Sequence, residues 1–137
     1  MRYSKIAFLA AIAAAALQAG EIKIIANPSV GASGISSDDL KRVFLITKSS
    51  LSDGSHVEPV LEKGGATHEA FLKEYLGKTD AALSTYYRSL VFTGKGAIPK
   101  TFASDAEVVS YVAKTKGAVG YVAAGTPAAG VKELEVK

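Results

Sequence analysis

Hydrophobic positions along the chain change period repeatedly, and the changes mark its elements. EIKIIANP alternates and then turns wholly apolar, so Ile22, Ile24 and Ile25 read as a buried strand that stops at Asn27-Pro28. PSVGASG is a loop. ISSDDLKRVFLI has the helical period, with Leu40, Val43 and Phe44 on one face. Ser36 is its N-cap, Asp39 closes a capping box, and Ile35 can staple onto Leu40. TKSSLSDGSH is turn-rich and tightest at Asp53-Gly54. VEPVL is a short strand, and Pro59 predicts an edge or a strand end. In KGGATHEAFLKEYLGK, Ala70, Phe71 and Tyr75 recur at helical spacing, as do Leu72 and Leu76, before Gly77 stops the helix. Thr79 caps a further helix whose broad face holds Leu83, Tyr86, Tyr87 and Leu90. FTGKGAIP is a loop. In SDAEVVSYVAKTKG, Ser104 and Glu107 form a capping box, Val108, Tyr111 and Val112 point inward, and Gly117 ends the helix. AVGYVA is a short apolar strand, AAGTPAAG a loop, and VKELEV a final strand or extended tail. This alternation predicts an α/β domain, with about four helices covering about four strands.

The first residues follow a different rule. Arg2 and Lys5 precede an unbroken apolar run from Ile6 to Leu17, and small residues follow to Ala19. This is the build of a secretory signal peptide cleaved after Ala19. The run is too short for a spanning helix, which needs roughly 18 apolar residues. The expectation is a leader over 1–19 and one domain over 20–137, exported, soluble and without stable membrane insertion once the leader is cut. Cleavage also changes the charge. The sequence has 16 basic and 13 acidic residues, and two of the basic ones lie in the leader, so the mature chain is close to neutral. Its remaining cations are scattered among acids rather than drawn into a stripe, which argues against a nucleic-acid partner. No cysteine is present, which excludes thiolate metal sites, cysteine catalysis and a lipoprotein anchor. Export without disulfides points to the bacterial periplasm.

Few segments carry chemistry. KGGATHEAF places two glycines and a threonine at a helix start, where free N–H groups and the positive dipole end can hold an anion. Gly64 and Gly65 allow close approach, Thr67 adds a hydroxyl and Lys63 adds charge. The glycine spacing is not that of a P-loop. His68-Glu69 opens like a zinc-protease motif, but Leu72 stands where the second histidine belongs. His68 therefore reads as a solvated residue on a first helical turn, and no metal or other cofactor is expected. Ser33 lacks the setting of a nucleophile elbow. Asp38-Asp39 complement a helix dipole, and Glu133 and Glu135 sit on an exposed strand face. Tyr75, Tyr86, Tyr87 and Phe92 read as core. No catalytic constellation emerges, and the chain is not expected to be an enzyme.

Five pieces form an ordered set: IIANPSV, ISSDDLKRVFL, DGSHVEPV, GGATHEAF and SDAEVVSYVAKTKGAVGYV. In this order and spacing they resemble the periplasmic substrate-binding proteins of phosphate ABC transporters, and more closely their short relatives with one phosphate-binding-protein-like domain. The resemblance spans nearly all of 21–136. It implies a single lobe of a type II periplasmic-binding-protein-like fold, a small mixed sheet flanked by about four helices. It also implies a non-catalytic solute-binding role for phosphate or a similar oxyanion, with an ABC transporter permease as partner. The family's Gly-Ser-Gly-Thr turn falls on residues 64–67, so the resemblance assigns anion contacts to Gly65 and Thr67. Asn27 and Ser29, in the loop after the first strand, are expected to face them across the end of the sheet. Two positions of the turn depart from the family pattern: Gly65 replaces the serine and Ala66 the second glycine. Leu61 and Glu62 stand where an arginine usually precedes the turn, and an ionised Glu62 would repel an anion. A homodimer could supply a missing wall. The alternative is a periplasmic protein-interaction module that has lost small-ligand binding.

Overall fold

The computed structural model describes residues 21–137; the expected leader lies outside the described residues. Six strands and four helices alternate through them. The strands are β1 (Ile22–Ala26), β2 (Gly34–Ile35), β3 (Glu58–Glu62), β4 (Lys100–Phe102), β5 (Ala118–Ala123) and β6 (Lys132–Val136). The helices are α1 (Ser37–Phe44), α2 (Ala66–Phe71), α3 (Asp80–Phe92) and α4 (Asp105–Lys114), and a π turn over Leu72–Leu76 extends α2. All strands join one mixed sheet in the order β2-β6-β1-β5-β3-β4. None of the helices is long and apolar enough to cross a membrane, among the described residues.

Strand direction decides where chemistry can gather. β3 runs parallel to β4 and β5, whereas β1 runs antiparallel to β5 and β6. The C-terminal end of β1 therefore lies beside the start of β5, and Asn27 N–H donates to the Ala118 carbonyl at 2.9 Å. The C-terminal ends of β3, β4 and β5 lie together at the opposite end of the sheet.

Side chains alternate across the sheet as the pleat requires. Ile24, Leu61, Val119 and Tyr121 face α1, α2 and α3. Ile25, Val60 and Val122 face Val108, Val109 and Val112 of α4. Gly120 points toward α4, where a Cβ would stand 2.9 Å from a Val108 methyl and 3.0 Å from one of Val60. The missing side chain is what lets α4 lie this close. On the other face Tyr121 stacks flat on Phe71 at 3.9 Å, and Phe71 meets the edge of Phe44 at 4.7 Å.

The caps form as the sequence predicts. Ser36, Thr79 and Ser104 accept from the N–H groups of Asp39, Ala82 and Glu107. Leu40, Val43 and Phe44 are buried, and Gly77 ends the π turn in the left-handed conformation. Tyr86 and Tyr87 of α3 reach across to the end of α1, donating to the Leu45 and Phe44 carbonyls at 2.6 Å each. Those carbonyls have no partner within a helix end.

Three local expectations change, and one open reading resolves. Two strands appear where none was expected: β2, at the end of the PSVGASG loop and the residue before the first helix cap, and β4, in the stretch after FTGKGAIP that carried no assignment. Pro59 lies in an interior strand. Its missing N–H is tolerated because β3 pairs with β5 at Glu58 and Pro59 and with β4 only from Val60 onward, so each partner covers a different half. Phe92 is not core: it closes α3 and is 93% exposed. The final segment is a true strand, β6, inserted between β1 and β2.

Candidate anion site

β3 ends at Glu62 and leads through Lys63, Gly64 and Gly65 into α2. Gly65 is the N-cap, with φ 95° and ψ 177°, a conformation that only glycine adopts without strain. No side chain caps this helix start. Among the described residues no acceptor meets the N–H groups of Ala66, Thr67 and His68. A Cβ at Gly64 or Gly65 would touch nothing within 4 Å, so the turn faces open space. Thr67 is half-buried. The turn thus offers free donors, access and no competing cap.

Beside it a cleft of about 500 Å³ opens between α3 and the β3–β4 margin. Lys63 and Arg88 line it, and neither has a carboxylate within 4.0 Å among the described residues. Leu61, Leu83, Tyr87 and Ile98 give it apolar walls. Gly65 and Thr67 do not line the cleft itself; Lys63 joins the two.

Asn27 and Ser29 are not part of this arrangement. The structure places them at the opposite end of the sheet, because β1 runs against β3. Both are already engaged. Asn27 Nδ2 donates to the Val112 and Ala113 carbonyls at 2.8 and 3.2 Å, and its Oδ1 accepts from Ser29 N–H at 2.9 Å. Ser29 Oγ accepts from Gly117 N–H at 3.0 Å. Asn27 satisfies the last carbonyls of α4, and Ser29 takes up the Gly117 N–H just before β5. Of the four predicted contacts, the structure keeps Gly65 and Thr67 together and separates the other two.

His68 is buried, 3% exposed, rather than solvated. Its place follows from helical spacing: it precedes Phe71 by three and Leu72 by four, so all three share the inward face. That signal is present in the sequence. Burial requires partners for both ring nitrogens. The Tyr121 hydroxyl accepts from Glu62 N–H at 3.0 Å and meets His68 Nδ1 at 2.5 Å. With the tyrosine hydroxyl donating to Nδ1, Nε2 carries the hydrogen and donates to Asp80 Oδ1 at 2.8 Å. Burial pushes the Tyr121 hydroxyl well above its ordinary range, which keeps it a donor. The chain from Asp80 to Glu62 backbone fixes α2 and α3 against the sheet on the cleft wall.

Glu62 changes its meaning as well. Its carboxyl is 5% exposed, and burial, followed by the neighbouring Asp105 carboxyl on α4, pushes it up to about 8. Glu62 Oε2 and Asp105 Oδ1 are both buried without a donor. A proton on Glu62 removes the cost of burying its charge beside Asp105. Glu62 is then neutral at pH 7 and does not repel an anion at the turn that follows it. Among the described residues no group of three or more histidines and acids is placed to hold a metal ion.

No protein-family model and no curated protein sequence matches the chain. Solved structures do match in fold. A putative phosphate ABC transporter substrate-binding protein from Clostridium perfringens, with bound phosphate, aligns with a TM-score of 0.66 at 13% identity, over 84% of this chain and 44% of its own. PstS from Borrelia burgdorferi aligns at 0.64 and 14% identity, over 85% and 47%. An ABC-type phosphate transport receptor from Vibrio cholerae aligns at 0.55 and 13% identity, over 84% and 45%. The chain spans about half the length of these proteins. It carries the mixed α/β fold of one part of them, as its sequence motifs imply.

Proposed function

We propose that the chain is an exported, non-catalytic solute-binding protein. It takes phosphate or a similar oxyanion at the C-terminal end of β3 and works with an ABC transporter. The observation that carries this reading is the meeting of an uncapped Gly64-Gly65 turn with two unpaired cations, Lys63 and Arg88, at one end of the sheet. The N–H groups of Ala66 and Thr67 and the Thr67 hydroxyl donate to the oxyanion, and the cations balance its charge. The fold shared with phosphate substrate-binding proteins supports the solute class. The leader pattern read in residues 1–19 supports delivery to the periplasm.

Calorimetric titration with phosphate, and with sulfate for comparison, tests the reading. Binding that weakens tenfold or more in Thr67→Ala supports it. Absence of heat with phosphate, sulfate and an organic phosphate alike at millimolar concentration refutes it.

A second reading rests on the end of α3, where Val91 and Phe92 are exposed. As a protein-interaction module the chain would use this apolar surface for a transporter subunit or a second copy. A concentration-dependent dimer lost in Phe92→Ser, unaffected by phosphate, favours this reading.

A further inference from the structure

We infer that the oxyanion bound here is carried on an apolar body, as in an organic phosphate monoester or phosphonate, and that free inorganic phosphate is the poorer ligand. The inference rests on the oxyanion reading and adds the class of molecule. Its first ground is size. The cleft beside the turn encloses about 500 Å³, within the range of about 300–1,000 Å³ that pockets for small organic ligands occupy. A lone tetrahedral anion leaves most of that space empty.

Its second ground is the chemistry of the walls. A phosphate ion is polar at every corner and needs donors on every side, and an apolar wall leaves oxygens unpaired. Here Lys63 and Arg88 supply charge, while Leu61, Leu83, Tyr87 and Ile98 supply apolar surface. Two acids line it as well: Asp80, whose Oδ1 is held by His68, and Glu62, whose buried carboxyl keeps its proton. Lys63 and Arg88 then outweigh the remaining acid.

The third ground is Ile98. It lines the cleft yet is 51% exposed, so the protein's own packing does not account for it. A ligand with an apolar group covers it and gains the burial. The arrangement suits a molecule with its oxyanion toward Lys63 and the glycine turn and its apolar part between α3 and Ile98.

Titration of the purified protein with phenyl phosphate, inorganic phosphate and phenol tests the inference. Phenyl phosphate should bind at least tenfold more tightly than inorganic phosphate, and phenol should bind weakly. The surface variant Ile98→Ser should lose severalfold in phenyl phosphate affinity and keep its inorganic phosphate affinity. The double variant Lys63→Gln, Arg88→Gln should lose both. Equal affinities for the two phosphates overturn this inference and leave the oxyanion reading standing. No binding of either phosphate overturns both. Phenyl phosphate binding that the double variant does not reduce overturns the placement in this cleft.

Discussion

Replacing Glu62 with glutamine removes a titration from the protein while keeping the shape of the side chain. The folded chain holds the Glu62 proton up to about pH 8, whereas the unfolded chain releases it near the ordinary value of 4.5. Between these values the folded state binds more protons, so this group's stabilisation is full below 4.5 and is lost as pH rises toward 8. The interval is roughly 3.5 pH units, and each is worth 1.36 kcal/mol, which sets a ceiling of about 5 kcal/mol. Relaxation of the Asp105 pair brings the expected loss to about 2–4 kcal/mol. Glutamine does not ionise, and its amide can donate to the orphaned Asp105 Oδ1. Urea unfolding of wild type and Glu62→Gln from pH 5 to 9 measures the difference, and groups common to both cancel. The variant should match the wild type near pH 5 and exceed it by about 2–4 kcal/mol at pH 9. Curves that stay parallel across this range would refute the reasoning. Glu62 would then be ionised at neutrality, and its charge would oppose an anion at the adjoining turn.

The other predictions concern the elements around the two ends of the sheet. Asn27→Ala strips the Val112 and Ala113 carbonyls of their donor and should cost about 1–3 kcal/mol in urea unfolding, with phosphate affinity unchanged. Gly65→Ala, at φ 95°, should cost about 1–3 kcal/mol. Gly64→Ala meets no protein atom and should leave stability within about 0.5 kcal/mol, so any loss of phosphate binding in it reports on ligand approach in titration. Tyr121→Phe leaves Glu62 N–H and His68 Nδ1 without their shared partner and should destabilise by about 1–3 kcal/mol, read from the thermal midpoint.

Local signals carried the helices well, for a physical reason. A cap, an apolar face and a terminating glycine act within one or two turns, so Ser36, Thr79 and Ser104 could be read in place, as could Leu40, Val43 and Phe44. The strands β2 and β4 are only two and three residues long and have no period to read. They exist because β6 and β3 offer them backbone partners. Phe92 was misread because periodicity gives a face but does not say whether the last turn of a helix still has something to pack against.

Half of the expected anion site failed at a single tertiary fact, the direction of β1. Residues that follow different strands share one end of a sheet only if those strands are parallel, and no local pattern in IIANPSV distinguishes the two directions. Asn27 and Ser29 have polar side chains in a loop after a strand, which is what a binding loop and a structural cap both need. Their hydrogen bonds to α4 and Gly117 decide for the cap. Gly65 and Thr67 depended on no such fact, because they lie in one continuous turn whose geometry is local. The same distinction explains Glu62. Its charge was read from its type, but burial, and after it the carboxyl of Asp105, 43 residues further along the chain, raise its pKa, and only the packing of α4 on β3 brings both about. The geometry of the turn was therefore legible from residues 63–67, while the charge around it is written in contacts between distant segments.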